Sequence, residues 1–109
     1  MIRLMTWVVA LSVALVAVPV FAAEGDGDAA AGKQLFDTKC AICHNADSKE
    51  KKIGPGLQGI KDGKLPSGKD ATYANVLKNL NEGGGGMPAF EKLITDDEKD
   101  DVIAYVMTL

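Results

Sequence analysis

The five residues Cys40-Ala41-Ile42-Cys43-His44 hold most of the unusual chemistry in this chain. Two thiols three positions apart, followed at once by an imidazole, make the C-x-x-C-H pattern that attaches a c-type haem. The spacing has a chemical reason. Each thiol can form a thioether with a haem vinyl group, and the adjacent imidazole then lies under the iron. Cys40 and Cys43 are the only cysteines and His44 is the only histidine. Other uses of these residues stay open on spacing alone. A zinc site wants four ligands, and the cysteines and histidine together offer three. A thiol–disulfide exchanger also carries C-x-x-C, but ordinarily on a βαβ pattern that is absent here. A disulfide between the two cysteines would close a loop too small to constrain much of the unfolded chain.

A second axial ligand is sought among the methionines. Met87 and Met107 are the two that lie outside the N-terminal segment. Met107 falls in the last helical pattern, where packing is the simpler use. Met87 stands in Gly86-Met87-Pro88, and proline restricts the residue before it to extended conformations, which would aim a thioether in one direction. Methionine is often only apolar filler, but His/Met ligation is a known arrangement for a c-type haem. His44 and Met87 are therefore the candidate metal ligands.

These residues need a frame. Residues 1–22 carry one cation, Arg3, an apolar run from Leu4 to Val18, and a small-residue site suited to cleavage after Ala22. The expectation is a cleaved secretory signal, with a membrane anchor as the alternative at this length. Its removal takes away the only arginine and the only tryptophan, leaving residues 23–109 as one domain with eleven lysines against fifteen acids, a net charge of −4. A chain of this acidic balance is a poor prospect for general nucleic-acid binding, which needs clustered positive charge. A core of this size is marginal without a staple, and a haem is a large apolar object that would fill it.

The spacing predicts helices over 29–39, capped by Asp28, and over about 70–81, with Tyr73, Val76, Leu77 and Leu80 on one face and Gly83 at its end. A third begins at Thr95-Asp96-Asp97-Glu98, a capping box whose acids suit the helix dipole, and carries the stripe Val102, Tyr105, Val106 and Leu109. Gly54-Pro55-Gly56-Leu57 reads as a turn, 62–68 as loop, and Gly83 to Gly86 as an unusually loose approach to Met87. There is no convincing β alternation and no internal repeat.

With these residues in view the chain resembles the class I cytochrome c family, nearest its cytochrome c6 and bacterial c553-like members. The resemblance runs over the whole of residues 23–109. It rests on Gly32 and Phe36, CAICH at Cys40 to His44, Gly54-Pro55-Gly56-Leu57, MPAF at Met87 to Phe90, and Val102 to Val106. It implies an all-α fold of three to four helices wrapped around one haem c, covalent through Cys40 and Cys43. It also implies a crossing of the first and last helices at Gly32, Phe36 and Tyr105, and a Pro55 carbonyl that orients His44. The family's indole contact to a haem propionate has no counterpart here; Tyr73 is read as core packing.

The implied function is a soluble one-electron carrier rather than an enzyme. It would be a monomer exchanging electrons with a redox donor and acceptor, membrane-bound complexes among them, in the periplasm or, in a phototroph, the thylakoid lumen. A peroxidase-like enzyme lacks a spare histidine as distal base, and a sensor that releases Met87 is the remaining rival. Lys49, Lys51 and Lys52, with Lys39, form a local cationic stretch that reads first as a solvated loop and second as a docking patch.

Overall fold

Asp28 opens the folded domain of the computed structural model, which describes residues 12–14 and 27–109. The expected secretory segment, residues 1–22, lies outside the described residues apart from 12–14. The Asp28 carboxylate accepts from the backbone N–H groups of Ala30 and Ala31 at 2.9 and 3.4 Å. It thereby satisfies donors that the first helical turn leaves bare. Helix α1 spans Ala29–Lys39 and buries Gly32 and Phe36.

A short 3-10 turn, Ile60–Asp62, lies between left-handed Gly59 and Gly63 and buries Ile60. Helix α2 spans Tyr73–Glu82 and buries Val76 and Leu80. It starts later than the expected residue 70, because Thr72 is extended and its hydroxyl accepts from the Asn75 N–H at 3.1 Å. Asp70 is instead engaged with Lys64, by a backbone bridge and a side-chain ion pair. Helix α3 spans Asp96–Val106. Its capping box is complete, with Glu98 N–H donating to the Thr95 hydroxyl and Thr95 N–H donating to the Glu98 carboxylate. Those bonds hold the Glu98 carboxyl below its ordinary pKa. Met107 caps α3 rather than continuing it, half-buried against the core.

The main packing contact joins α1 to α3, with α2 touching α3 more lightly. A Cβ on Gly32 would stand 1.9 Å from the Asp101 carbonyl oxygen, so only glycine permits this crossing. Phe36 and Tyr105 close it edge-to-face, with ring centroids 5.3 Å apart. The Asp28 N–H donates to the Asp101 carboxylate at 2.8 Å, tying the start of α1 to the same helix. Tyr73 lays its ring on the core and also donates its hydroxyl to Asp100, which ties α2 to α3. Among the described residues there are helices and two isolated bridges but no strand, the expected all-α class.

Candidate functional site

The end of α1 shapes the cysteine–histidine motif. Cys40 and Ala41 both donate to the Phe36 carbonyl, at 2.8 and 2.9 Å. Cys43 and His44 both donate to the Cys40 carbonyl, at 3.0 and 2.9 Å. The motif thus coils onward from the helix, which brings all three of its reactive side chains to one cavity wall. The thiols are not joined in a disulfide. Burial, reinforced by Cys43, pushes the Cys40 thiol up to about 11. A thiol protonated at neutral pH is the opposite of the activated thiolate of a disulfide exchanger. Among the described residues no three His, Cys, Asp or Glu side chains gather as a metal cluster.

The loop after the motif folds back onto it. Gly54 N–H donates to the Cys43 carbonyl at 2.7 Å, and Leu57 N–H to the Asn45 carbonyl at 2.8 Å. His44 Nδ1 stands 2.7 Å from the Pro55 carbonyl oxygen. A carbonyl can only accept, so this contact assigns the proton to Nδ1 and leaves Nε2 with its lone pair free. The lysines of the cationic stretch part company here. Lys52 donates to the Ala41 carbonyl at 2.8 Å, bracing the motif. The end of the Lys49 side chain lies over Gly59. Lys39 and Lys51 reach the cavity wall.

Met87 reaches the same cavity from the connection between α2 and α3. The four glycines before it are folded. Gly84 and Met87 exchange backbone hydrogen bonds at 2.9 and 3.1 Å. Gly85 and Gly86 between them have φ of 61° and 94°. Two left-handed central residues are what a type I′ hairpin turn demands. A Cβ on Gly83 would fall 2.5 Å from the Met87 carbonyl oxygen, so the chain doubles back in close contact with itself. The expected looseness is therefore absent from the geometry: the glycines serve a turn.

The cavity measures about 400 Å³, within the range of small-molecule and cofactor sites. Among the described residues, seven of the ten buried hydrophobic residues of the core line it, so the core is a shell around a space. No acidic side chain among the described residues stands in that wall, although acids outnumber lysines in the chain. Such a wall suits an apolar macrocycle carrying anionic propionates, and Cys40, Cys43 and His44 all line it. The residues present fit a c-type haem.

Sequence reasoning missed three features of this site. Leu65 is buried at the cavity although it lies in the expected loop. Gly54 makes room for the His44 ring, since a Cβ there would lie 2.6 Å from Cε1. Lys99 is 5% exposed. Its position four residues before Ile103 and seven before Val106 put it on the apolar stripe of α3, a signal its charge concealed.

A helical shell around an apolar cavity, with C-x-x-C-H on its wall, defines a small haem protein with a covalently held cofactor. The family model for cytochrome c matches residues 29–109, and the chain belongs to that family. The chain is 33% identical over 81 residues to a cytochrome c6 of Rippkaea orientalis, covering 74% of this chain and 70% of that one. The solved cytochrome c6 of the diatom Phaeodactylum tricornutum superposes with a TM-score of 0.57 at 29% identity, covering 75% of this chain and 93% of that one. Cytochrome cH of Methylobacterium extorquens superposes with a TM-score of 0.53 at 30% identity, covering 76% and 100%. The class I cytochrome c fold and the covalent haem c anticipated from the motif accordingly stand. As a cytochrome c the chain is an electron-transfer protein and not an enzyme.

Proposed function

We propose that this cytochrome is a soluble one-electron carrier working outside the cytoplasm, with His44 and Met87 as the axial ligands of its haem iron. The observation that carries the reading is the meeting of Cys40, Cys43, His44 and Met87 on one apolar cavity. The bound haem supplies a one-electron Fe(II)/Fe(III) couple, whose potential methionine ligation raises relative to bis-histidine. Cys40 and Cys43 hold the group irreversibly, which suits a protein that must not lose its cofactor after export. The Pro55 carbonyl accepts the hydrogen bond from His44 Nδ1–H, which fixes the tautomer and makes Nε2 a better donor. Met87 would hold the iron through its thioether, which would leave no place for a substrate at the metal. The apolar shell excludes water and limits rearrangement when the charge on the site changes.

Residues 1–22 act as the secretory signal in this reading, placing the domain in the periplasm or, in a phototroph, the thylakoid lumen. The partners are a donor and an acceptor redox protein, membrane-bound complexes among them, and the carrier meets them as a monomer. The exposed Ile53 and the lysines Lys39 and Lys51 border the cavity, and the exposed Ile42 lies within the motif itself. An encounter there would be steered by charge and released quickly.

The test compares Met87→Ala with Met107→Ala in the haem-loaded protein. Met87→Ala is expected to lose the sulfur-to-iron charge-transfer band of the oxidised spectrum, bind added ligands and show a lower potential. Met107→Ala is expected to keep all three properties of the parent. A band that survives in Met87→Ala removes Met87 from the iron.

A further inference from the structure

Among the described residues Lys99 is the buried charged side chain, and it sits on the face of α3 that also buries Val102, Ile103 and Val106. An ammonium in such a place needs partners, because burying an unpaired charge is costly. Its Nζ has two. It donates to the Asp96 carboxylate at 3.2 Å and to the Glu91 backbone carbonyl at 2.9 Å. The Asp96 side chain is 98% exposed, so solvent screens that pair and it contributes little. The Glu91 carbonyl, eight residues back, is the partner that matters.

Glu91 lies four residues after Met87, in the connection from α2 to α3. That connection is tied to α2 by Phe90 N–H donating to the Leu80 carbonyl at 2.7 Å. Its remaining backbone bonds are local, with Leu93 and Ile94 both donating to the Phe90 carbonyl. Phe90 and Ile94 share the core with α3 side chains, and among the described residues the hydrogen bond from Lys99 is the polar tie from residues 87–94 to the body of α3. Pro88 and Phe90, between Met87 and Glu91, line the haem cavity, as do the α3 side chains Val102 and Val106. Movement of Glu91 away from α3 is therefore transmitted to Met87 over a short, proline-stiffened lever.

We propose that Lys99 is a positioning residue for Met87: its ammonium pins the ligand-bearing connection to α3 and sets how readily Met87 yields its place to another ligand. The proposal rests on Met87 being an axial ligand. It assigns a functional reason to a charge whose replacement by an apolar side chain would otherwise be neutral or stabilising.

The experiment uses the haem-loaded protein and Lys99→Met, which keeps an apolar stem of similar length and removes every donor. Oxidised parent and variant are titrated with imidazole, following loss of the sulfur-to-iron charge-transfer band, and both are unfolded with denaturant. The apparent imidazole dissociation constant is expected to fall about tenfold in Lys99→Met, the scale of one lost charged hydrogen bond, with a far smaller change in the unfolding midpoint. Asp96→Asn is expected to bind imidazole like the parent. Lys99→Gln keeps a neutral donor on a shorter arm, so a smaller fall is expected, and it serves if Lys99→Met does not accumulate. Parental imidazole affinity in the Lys99 variants overturns the proposal while leaving Met87 in place. A charge-transfer band that survives in Met87→Ala overturns both together.

Discussion

A methyl group on Gly54 would lie 2.6 Å from His44 Cε1 and 3.0 Å from Nδ1, the atom that faces the Pro55 carbonyl. Real side chains do not approach so closely, so either the imidazole or the 54–57 turn must shift. Gly54→Ala is thus expected to destabilise the domain by about 1–3 kcal/mol, the usual cost of overpacking a filled site. It should also weaken the Nδ1–H hydrogen bond. A less basic imidazole stabilises Fe(III) less, so the reduction potential of the recovered protein should rise. Redox titration beside denaturant unfolding checks both effects, and a parental potential with parental stability would count against the assigned role of the turn. At this scale the sequence was most informative where chemistry demands a residue type. Cys40, Cys43 and His44 stood out because the domain has no other cysteine or histidine, and Met87 was preferred to Met107 for the proline that follows it. Gly54 could be placed in a turn but not against the ring, since that contact depends on how the 43–54 loop closes. Lys99 was hidden for a different reason. It stands between Glu98 and Asp100 in an acidic run, and its burial follows from helical phase alone.

The elements divide along the same line between local and tertiary causes. Caps are local, and Asp28, Thr95 and Glu98 act where their spacing put them. The start of α2 was misplaced because Asp70 is drawn into pairing with Lys64 across a turn, a contact no periodicity records. The Ile60–Asp62 turn is too short to show a period. The glycine run looked loose because glycine permits everything; its order comes from the Gly84–Met87 hydrogen bonds. The crossing of α1 and α3 makes the firmest prediction at this level. Gly32→Ala places a Cβ 1.9 Å from the Asp101 carbonyl oxygen and 3.0 Å from Tyr105 Cβ. The helices must separate, prising Phe36 from Tyr105, so a loss at or above the upper end of the 1–3 kcal/mol overpacking range is expected. Thermal unfolding of Gly32→Ala near the parental midpoint would show that the crossing tolerates the added carbon.

Taken as a whole molecule, the protein is a shell whose interior is completed by its cofactor. Phe36, Leu80, Phe90, Val102 and Val106 belong to the core and also to the wall of the 400 Å³ cavity. Close packing is the ordinary state of a protein interior, and a domain this small has little else with which to offset chain entropy. Filling the cavity with a covalently tethered group would supply both the missing contacts and the redox centre, so stability and function share one object. The acidic balance outside and the acid-free wall inside fit that division, with anionic propionates meeting no like charge in the cavity. Covalent haem at Cys40 and Cys43 is therefore what both stability and function require. The direct measurement is a denaturing gel of the exported protein stained for haem, run beside Cys40→Ser/Cys43→Ser. A haem signal that migrates with the parent chain and is absent from the double variant is the expected result. Haem that leaves the parent chain under denaturation, or that stays with the double variant, would contradict it.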